Sequence, residues 1–208
     1  MVPGRAGVMI RKFLFALLLL LAFVPPAAAQ NAGLVRVKLE TAEGNILLDV
    51  DTKRAPITAN NFLRYVDEKK LDGTYFYRTA KTKGVEGRGF IQGGIRHNIR
   101  RSLPPIAHEP TSKTGIKHVS GTISMARTTP GSAMGDFFII LNDMPSMDAD
   151  PKRPGDNVGY AAFGKVASGM DTVRRILNAP TVKGAGSGSM KDQFIAEPIR
   201  IVKASRVK

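Results

Sequence analysis

Cysteine and tryptophan are both absent from the 208 residues. Without a thiol there is no disulfide framework, no thiolate nucleophile and no cysteine-held metal. Packing alone must hold the fold. Acidic side chains are scarce too, 17 Asp and Glu against 31 Lys and Arg, and the formal charge is +14. Such a balance raises polyanion binding. Yet the densest basic runs, RHNIRR (Arg96 to Arg101) and PKRP (Pro151 to Pro154), carry no interleaved aromatics on which bases would stack. The expectation is a solvated basic face with no nucleic-acid partner.

Long apolar runs are equally few. The conspicuous one, FLFALLLLLAFV from Phe13 to Val24, follows Arg5, Arg11 and Lys12 and precedes PPAAAQ. It is too short for a spanning helix, which needs ~20 apolar residues. A basic start, a short apolar core and the small residues Ala27 and Ala29 ahead of Gln30 form a secretory signal pattern. No Arg-Arg pair precedes the apolar core, which favours Sec-type export. Residues 1–29 are expected to be removed. Residues 30–208 are expected to form a single exported domain, monomeric and without stable membrane insertion.

What is present beyond that point is mostly short alternating strands. In LVRVKLET, apolar Val35, Val37 and Leu39 alternate with polar Arg36, Lys38 and Glu40, the period of a half-buried strand. AEGN supplies a turn and ILLDVD a second strand. APITANNFLRYVDEKK sets Ile57, Phe62 and Tyr65 or Val66 near helical spacing, with Gly73 just beyond its end. Then come TYFYRTA, GFIQGGI, GTISMAR, DFFIIL and GYAAFGKVA. A second helix, MDTVRRIL, follows Gly169, and EPIRIVKASRV closes the chain. So many strands with two helices suit a closed antiparallel barrel, because parallel pairs would need a crossover helix each. KGAGSGSMKD (Lys183 to Asp192) reads as a mobile surface loop.

The familiar chemical signatures are missing. GRGFIQGG (Gly87 to Gly94) begins like a dinucleotide loop but puts Gln92 where the third glycine belongs, and no Lys-Ser or Lys-Thr follows. GSAMG (Gly131 to Gly135) has its serine one place early for a nucleophile elbow. His97, His108 and His118 lie in loop-like sequence with no carboxylate pair beside them, so no metal is expected. The acidic run from Asp148 to Asn157 puts Lys152 where a calcium loop needs oxygen. No cofactor is expected either.

Five stretches remain: YFYR ending at Arg78, GFIQGG around Gln92, GTISMART, FFII containing Phe138, and YAAFGKV. Taken singly, Phe138 and Met125 read as core residues and Arg78 as a surface strand residue. In this order, from about Val35 to Val207, they resemble the cyclophilins, in particular a bacterial exported, periplasmic member. The resemblance implies a mainly β fold, a closed eight-stranded antiparallel β-barrel capped by two α-helices. It also implies peptidyl-prolyl cis/trans isomerase activity on proline-containing peptides and unfolded exported proteins. An alternative is a proline-peptide binding or chaperone module of the same fold with weak or no isomerase activity.

Amide rotation needs no proton transfer, only preferential stabilisation of the twisted state, whose barrier is ~18–20 kcal/mol. In that state the prolyl nitrogen gains a lone pair, and a guanidinium is a suitable donor to it. The resemblance makes Arg78 that donor, with Gln92 binding the peptide backbone or orienting Arg78. Phe90, Met125, Phe138, Met147 and Tyr160 would surround the proline ring, and Ala126 would line the backbone groove. The sequence also departs from the family. TAKTKGVEGRG is longer than usual between Arg78 and Gln92, and Gly89 stands where the pocket aromatic commonly sits, leaving Phe90 to fill that role. Asp136, replacing a Gln, is expected to pair with Arg78 if it faces the site. Ser146 and Tyr160 replace the Trp and His of cyclosporin-sensitive relatives, which implies weak cyclosporin binding.

Overall fold

The structure is a computed structural model and describes residues 33–207. The signal-like segment, residues 1–29, lies outside the described residues. Eight antiparallel strands close into a barrel, β1 (Leu34–Thr41), β2 (Gly44–Asp51), β3 (Thr74–Lys81), β4 (Gly89–Gly94), β5 (Thr122–Met125), β6 (Asp136–Ile140), β7 (Ala162–Ser168) and β8 (Phe194–Arg206). Their order around the barrel is β1-β2-β7-β5-β6-β4-β3-β8, with β8 paired back to β1. Closure removes every free edge. The expected barrel is therefore present, and β8 is longer than its alternation suggests because it begins at Phe194.

Two helices of useful length accompany it, α1 (Pro56–Asp67) and α3 (Met170–Leu177), separated in sequence by a one-turn helix α2 (Thr111–Thr114). Phe62, Tyr65 and Val66 of α1 are buried as the spacing predicts, but Ile57 is 40% exposed and Thr58 and Ala59 face the core instead. Phe62 is gripped between Phe137 and Phe163, at ring-centroid distances of 5.3 and 5.1 Å. Val173, Ile176 and Leu177 of α3 join the same core. Burying each such side chain stabilises by roughly 1.5–3 kcal/mol.

Helix α1 has Pro56 at its first turn and Ala55 as a cap without a side-chain hydrogen bond. A distant carboxylate takes over that duty. Buried Glu109 accepts from Thr58 N at 2.7 Å and from Thr58 Oγ1 at 2.8 Å. It satisfies a first-turn donor and sits at the positive end of the helix.

The strand glycines of GRGFIQGG, Gly89, Gly93 and Gly94, make room for neighbouring strands and not for a ligand. A Cβ at Gly93 would meet Phe76 Cδ1 at 2.7 Å and Tyr75 O at 2.9 Å; one at Gly89 would meet Ala80 O at 2.1 Å. No side chain fits at position 89, so the aromatic of this strand must come from Phe90.

Candidate active site

One cross-strand row brings the distant motifs together. Arg78 pairs with Gln92, Gln92 with Phe138, and Phe138 with Ser124. Arg78 and Phe138 thus stand two strands apart, roughly 10 Å of backbone at ordinary strand spacing. A bulge in β3 makes this possible. The register of β3 against both β4 and β8 shifts between Phe76 and Arg78, with Tyr77 as the extra residue. Strict alternation would aim Arg78 to the same side as Phe76, which is fully buried in the core. The extra residue turns Arg78 to the outer face.

That face carries a groove of about 790 Å³ lined by Arg78, Phe90, Gln92, Ala126, Phe138, Met147 and Tyr160 among others. Seven of the eight expected site residues meet there. Met125 does not. It pairs with Phe137, is 1% exposed and belongs to the barrel core, because it follows Ser124 in β5 and alternation sends it inward. Phe138 forms the groove floor, with Phe90 at 5.3 Å and Tyr160 edge-on at 5.4 Å between centroids. Phe90 reaches the groove because residues two apart on a strand share a face, and it lies two before Gln92.

The polar side is a chain of hydrogen bonds. Arg78 Nη1 donates to Gln92 Oε1 at 2.7 Å, Gln92 Nε2 donates to the Tyr77 hydroxyl at 2.8 Å, and that hydroxyl donates to Asp136 Oδ1 at 3.2 Å. Gln193 Oε1 accepts from Arg78 Nε and Nη2 at 2.9 and 2.7 Å. The Arg78 guanidinium also lies 5.1 Å from the centre of the Phe90 ring. Burial lowers the Arg78 pKa, partly countered by Tyr77 and Tyr160. An Arg side chain nonetheless stays charged.

Asp136 faces the groove side, but it does not pair with Arg78. It accepts from the backbone of Arg96 at 2.7 Å and of His97 at 3.4 Å as well as from Tyr77. The expected pairing of Asp136 with Arg78 is therefore corrected: Asp136 reaches Arg78 only through Tyr77 and Gln92. Burial raises its pKa, opposed by those donors. Burial also drives the Tyr77 hydroxyl far up, so it remains a donor.

Behind Phe138 lies an arrangement with no local signal in the sequence. His118 Nδ1 is 2.8 Å from Asp148 Oδ1, and its Nε2 is 3.0 Å from Ser124 Oγ. The trio resembles a hydrolase triad, but Ser124 is fully buried and cannot meet a substrate. Its use is mechanical: His118 stacks on Phe138 at 12° and 6.2 Å, holding the groove floor. Burial lowers the His118 pKa, opposed by Asp148. The absence of a carboxylate beside His118 holds in sequence only. At the groove's other end Arg127 bonds Asp156 and the Gly159 carbonyl and lies 4.8 Å from the Tyr160 ring centre. Ser189 and Met190 also line the groove, although their loop reads as mere surface in the sequence. Among the described residues no group of three or more His, Cys, Asp or Glu is placed to hold a metal.

The groove thus combines an aromatic floor, Phe138 with Phe90 and Tyr160, with the fixed Arg78 guanidinium at one side. The profile of the family described as "Cyclophilin type peptidyl-prolyl cis-trans isomerase/CLD" matches residues 36–206. A peptidyl-prolyl cis-trans isomerase of Acinetobacter baylyi is 32% identical over 167 residues, covering 80% of this chain and 82% of the relative. Peptidyl-prolyl cis-trans isomerase A of Dickeya dadantii is 36% identical, covering 78% and 80%. A cyclophilin type isomerase structure from Cryptosporidium parvum covers 84% of this chain and 98% of its own, with a TM-score of 0.62 and 21% identity. The chain belongs to the cyclophilin-type peptidyl-prolyl cis/trans isomerases, and its activity is that of an isomerase.

Proposed function

We propose that X-Pro bonds rotate in the groove between Arg78 and Phe138, and that the clients are unfolded exported proteins. The cross-strand row Arg78–Gln92–Phe138 carries this reading. The proline ring sits on Phe138, enclosed by Phe90, Met147 and Tyr160, while Ala126 borders the peptide backbone. Arg78 donates to the prolyl nitrogen as its lone pair develops, an interaction stronger in the twisted state than in either planar isomer. Gln92 fixes the guanidinium by accepting from Nη1.

Export to the periplasm rests on the signal-like segment 1–29. The C. parvum relative was also solved in the presence of the dipeptide Ala-Pro, which makes an Ala-Pro peptide a reasonable substrate. The experiment is a cis/trans assay on such a peptide with residues 30–208. Arg78→Ala is expected to lower kcat/KM by roughly a hundredfold, the loss of one transition-state donor. An unchanged rate removes Arg78 from the mechanism. Processing before Gln30, read by N-terminal sequencing of the exported chain, checks the localisation.

A further inference from the structure

We propose that Gln193 is a positioning residue for the isomerase reaction, holding the Arg78 guanidinium from the side opposite Gln92; the inference rests on the reading of Arg78 as the donor. A guanidinium has five N–H donors. Gln193 Oε1 takes Nε and one hydrogen of Nη2, at 2.9 and 2.7 Å, and Gln92 takes one hydrogen of Nη1 at 2.7 Å. One hydrogen on each Nη nitrogen is left for the substrate. With the Nε edge engaged by Gln193 and Nη1 by Gln92, rotation about the end of the side chain is restrained at once from β4 and from the loop that leads into β8.

Gln193 can do this because it is itself held. Its carbonyl accepts from Thr79 N at 2.9 Å, beside Arg78 on β3, and its own N–H donates to Met190 O at 3.3 Å. The side-chain Nε2 donates to Ser189 O at 2.8 Å, so Oε1 is the end turned towards Arg78. The loop that delivers it is closed at its base by Asp192 N to Ala185 O at 2.8 Å and by Gly184 N to the Asp192 carboxylate at 2.5 Å. Asp192 adopts a left-handed φ of 64°, uncommon for a residue with a side chain. The Gly/Ser-rich segment thus folds back so that Ser189 and Met190 border the groove while Gln193 grips the catalytic side chain from behind. A misplacement of the reacting group by about 1 Å costs up to 10²-fold in rate, so the grip affects turnover more than substrate binding.

The test compares wild type, Arg78→Ala, Gln193→Met and Gln193→Glu on an Ala-Pro peptide, with kcat and KM separated by NMR exchange and folding followed by thermal melting. Gln193→Met keeps the volume and removes the acceptor; it is expected to lower kcat roughly tenfold with KM and Tm near wild type. Gln193→Glu keeps an acceptor for Arg78 but sets an oxygen against the Ser189 carbonyl, and is expected to retain kcat within about threefold. The 15Nε shift of Arg78 should move in the Met variant and less in the Glu variant. Wild-type kcat in Gln193→Met, with Arg78→Ala still impaired, overturns the inference alone. Equal impairment in Met and Glu assigns Gln193 to the Ser189 tether and also overturns it. Wild-type turnover in Arg78→Ala removes this inference together with the reading beneath it. If Gln193→Met does not fold, Gln193→Ala is read by the same criteria.

Discussion

Tyr77 carries a single hydroxyl that joins two groups otherwise out of reach of each other, accepting from Gln92 and donating to Asp136. Because Gln92 Nε2 is held there, Gln92 Oε1 is the end presented to Arg78. Tyr77→Phe deletes both bonds while keeping the ring that Arg96 covers at 5.5 Å. Gln92 then loses the partner that orients its amide, and Asp136 keeps only its backbone donors. The expected outcome is a kcat/KM reduced about three- to tenfold and a stability reduced by about 2 kcal/mol, since two hydrogen bonds are lost and each is worth about 1 kcal/mol net. Isomerase assays and urea unfolding of the same variant check it; undiminished kcat/KM would show that Gln92 needs no help from Tyr77. Arg78, Gln92 and Phe138 are legible in the sequence because their motifs are contiguous and ordered. Tyr77 is not, because its value comes from being the surplus residue of a bulge.

Element by element, β3 shows how one irregularity redirects chemistry. Its apolar and polar residues alternate well enough to mark a strand, but only pairing with β4 and β8 reveals the shift that turns Arg78 outward. Helix α1 shows the reverse case, in which a weak local signal is rescued from far away. Ala55 cannot cap it, and Glu109 supplies the acceptor from 51 positions along the chain. Glu109→Ala is expected to cost about 2 kcal/mol, the upper range for a lost cap, because both hydrogen bonds of the α1 terminus to Glu109 go together. Urea denaturation should show a lower midpoint at unchanged slope. A midpoint equal to wild type would mean that the α1 terminus is satisfied without Glu109. Spacing marks the helix, yet no spacing rule connects Thr58 to Glu109.

At the scale of the whole molecule, the buried His118 makes stability depend on pH. Its folded pKa lies below the ordinary 6.5 through burial, against the pull of Asp148 and with Lys117 adding slightly to the fall. The unfolded chain therefore takes up a proton before the folded one as pH drops below about 6.5, and stability falls from there down to the lowered folded value. Above 6.5 the contribution is complete. Asp136 acts in the opposite sense: its folded pKa lies above 3.8, so the folded state binds its proton first and gains stability as pH falls through that raised value. Comparing wild type with His118→Gln isolates the first effect. Urea midpoints between pH 7.5 and 5.5 should fall more steeply in wild type, and parallel profiles would exclude His118 as their cause. Weak cyclosporin binding is a further expectation at this scale, because the exposed Ser146 offers no large ring beside the groove. A titration reaching nanomolar affinity contradicts it.

Period-two alternation and five ordered motifs suffice to read the barrel, its two main helices and most of the groove from the amino-acid order, because each of those signals is local. The inward turn of Met125, the outward turn of Arg78, the grip of Gln193 and the buried His118 support under Phe138 are matters of register and closure. They arise only when strands far apart in sequence are laid side by side, since a one-residue shift in pairing decides which face a side chain meets. The chain carries the side chains of the groove in plain order, and the folded barrel decides which way they point.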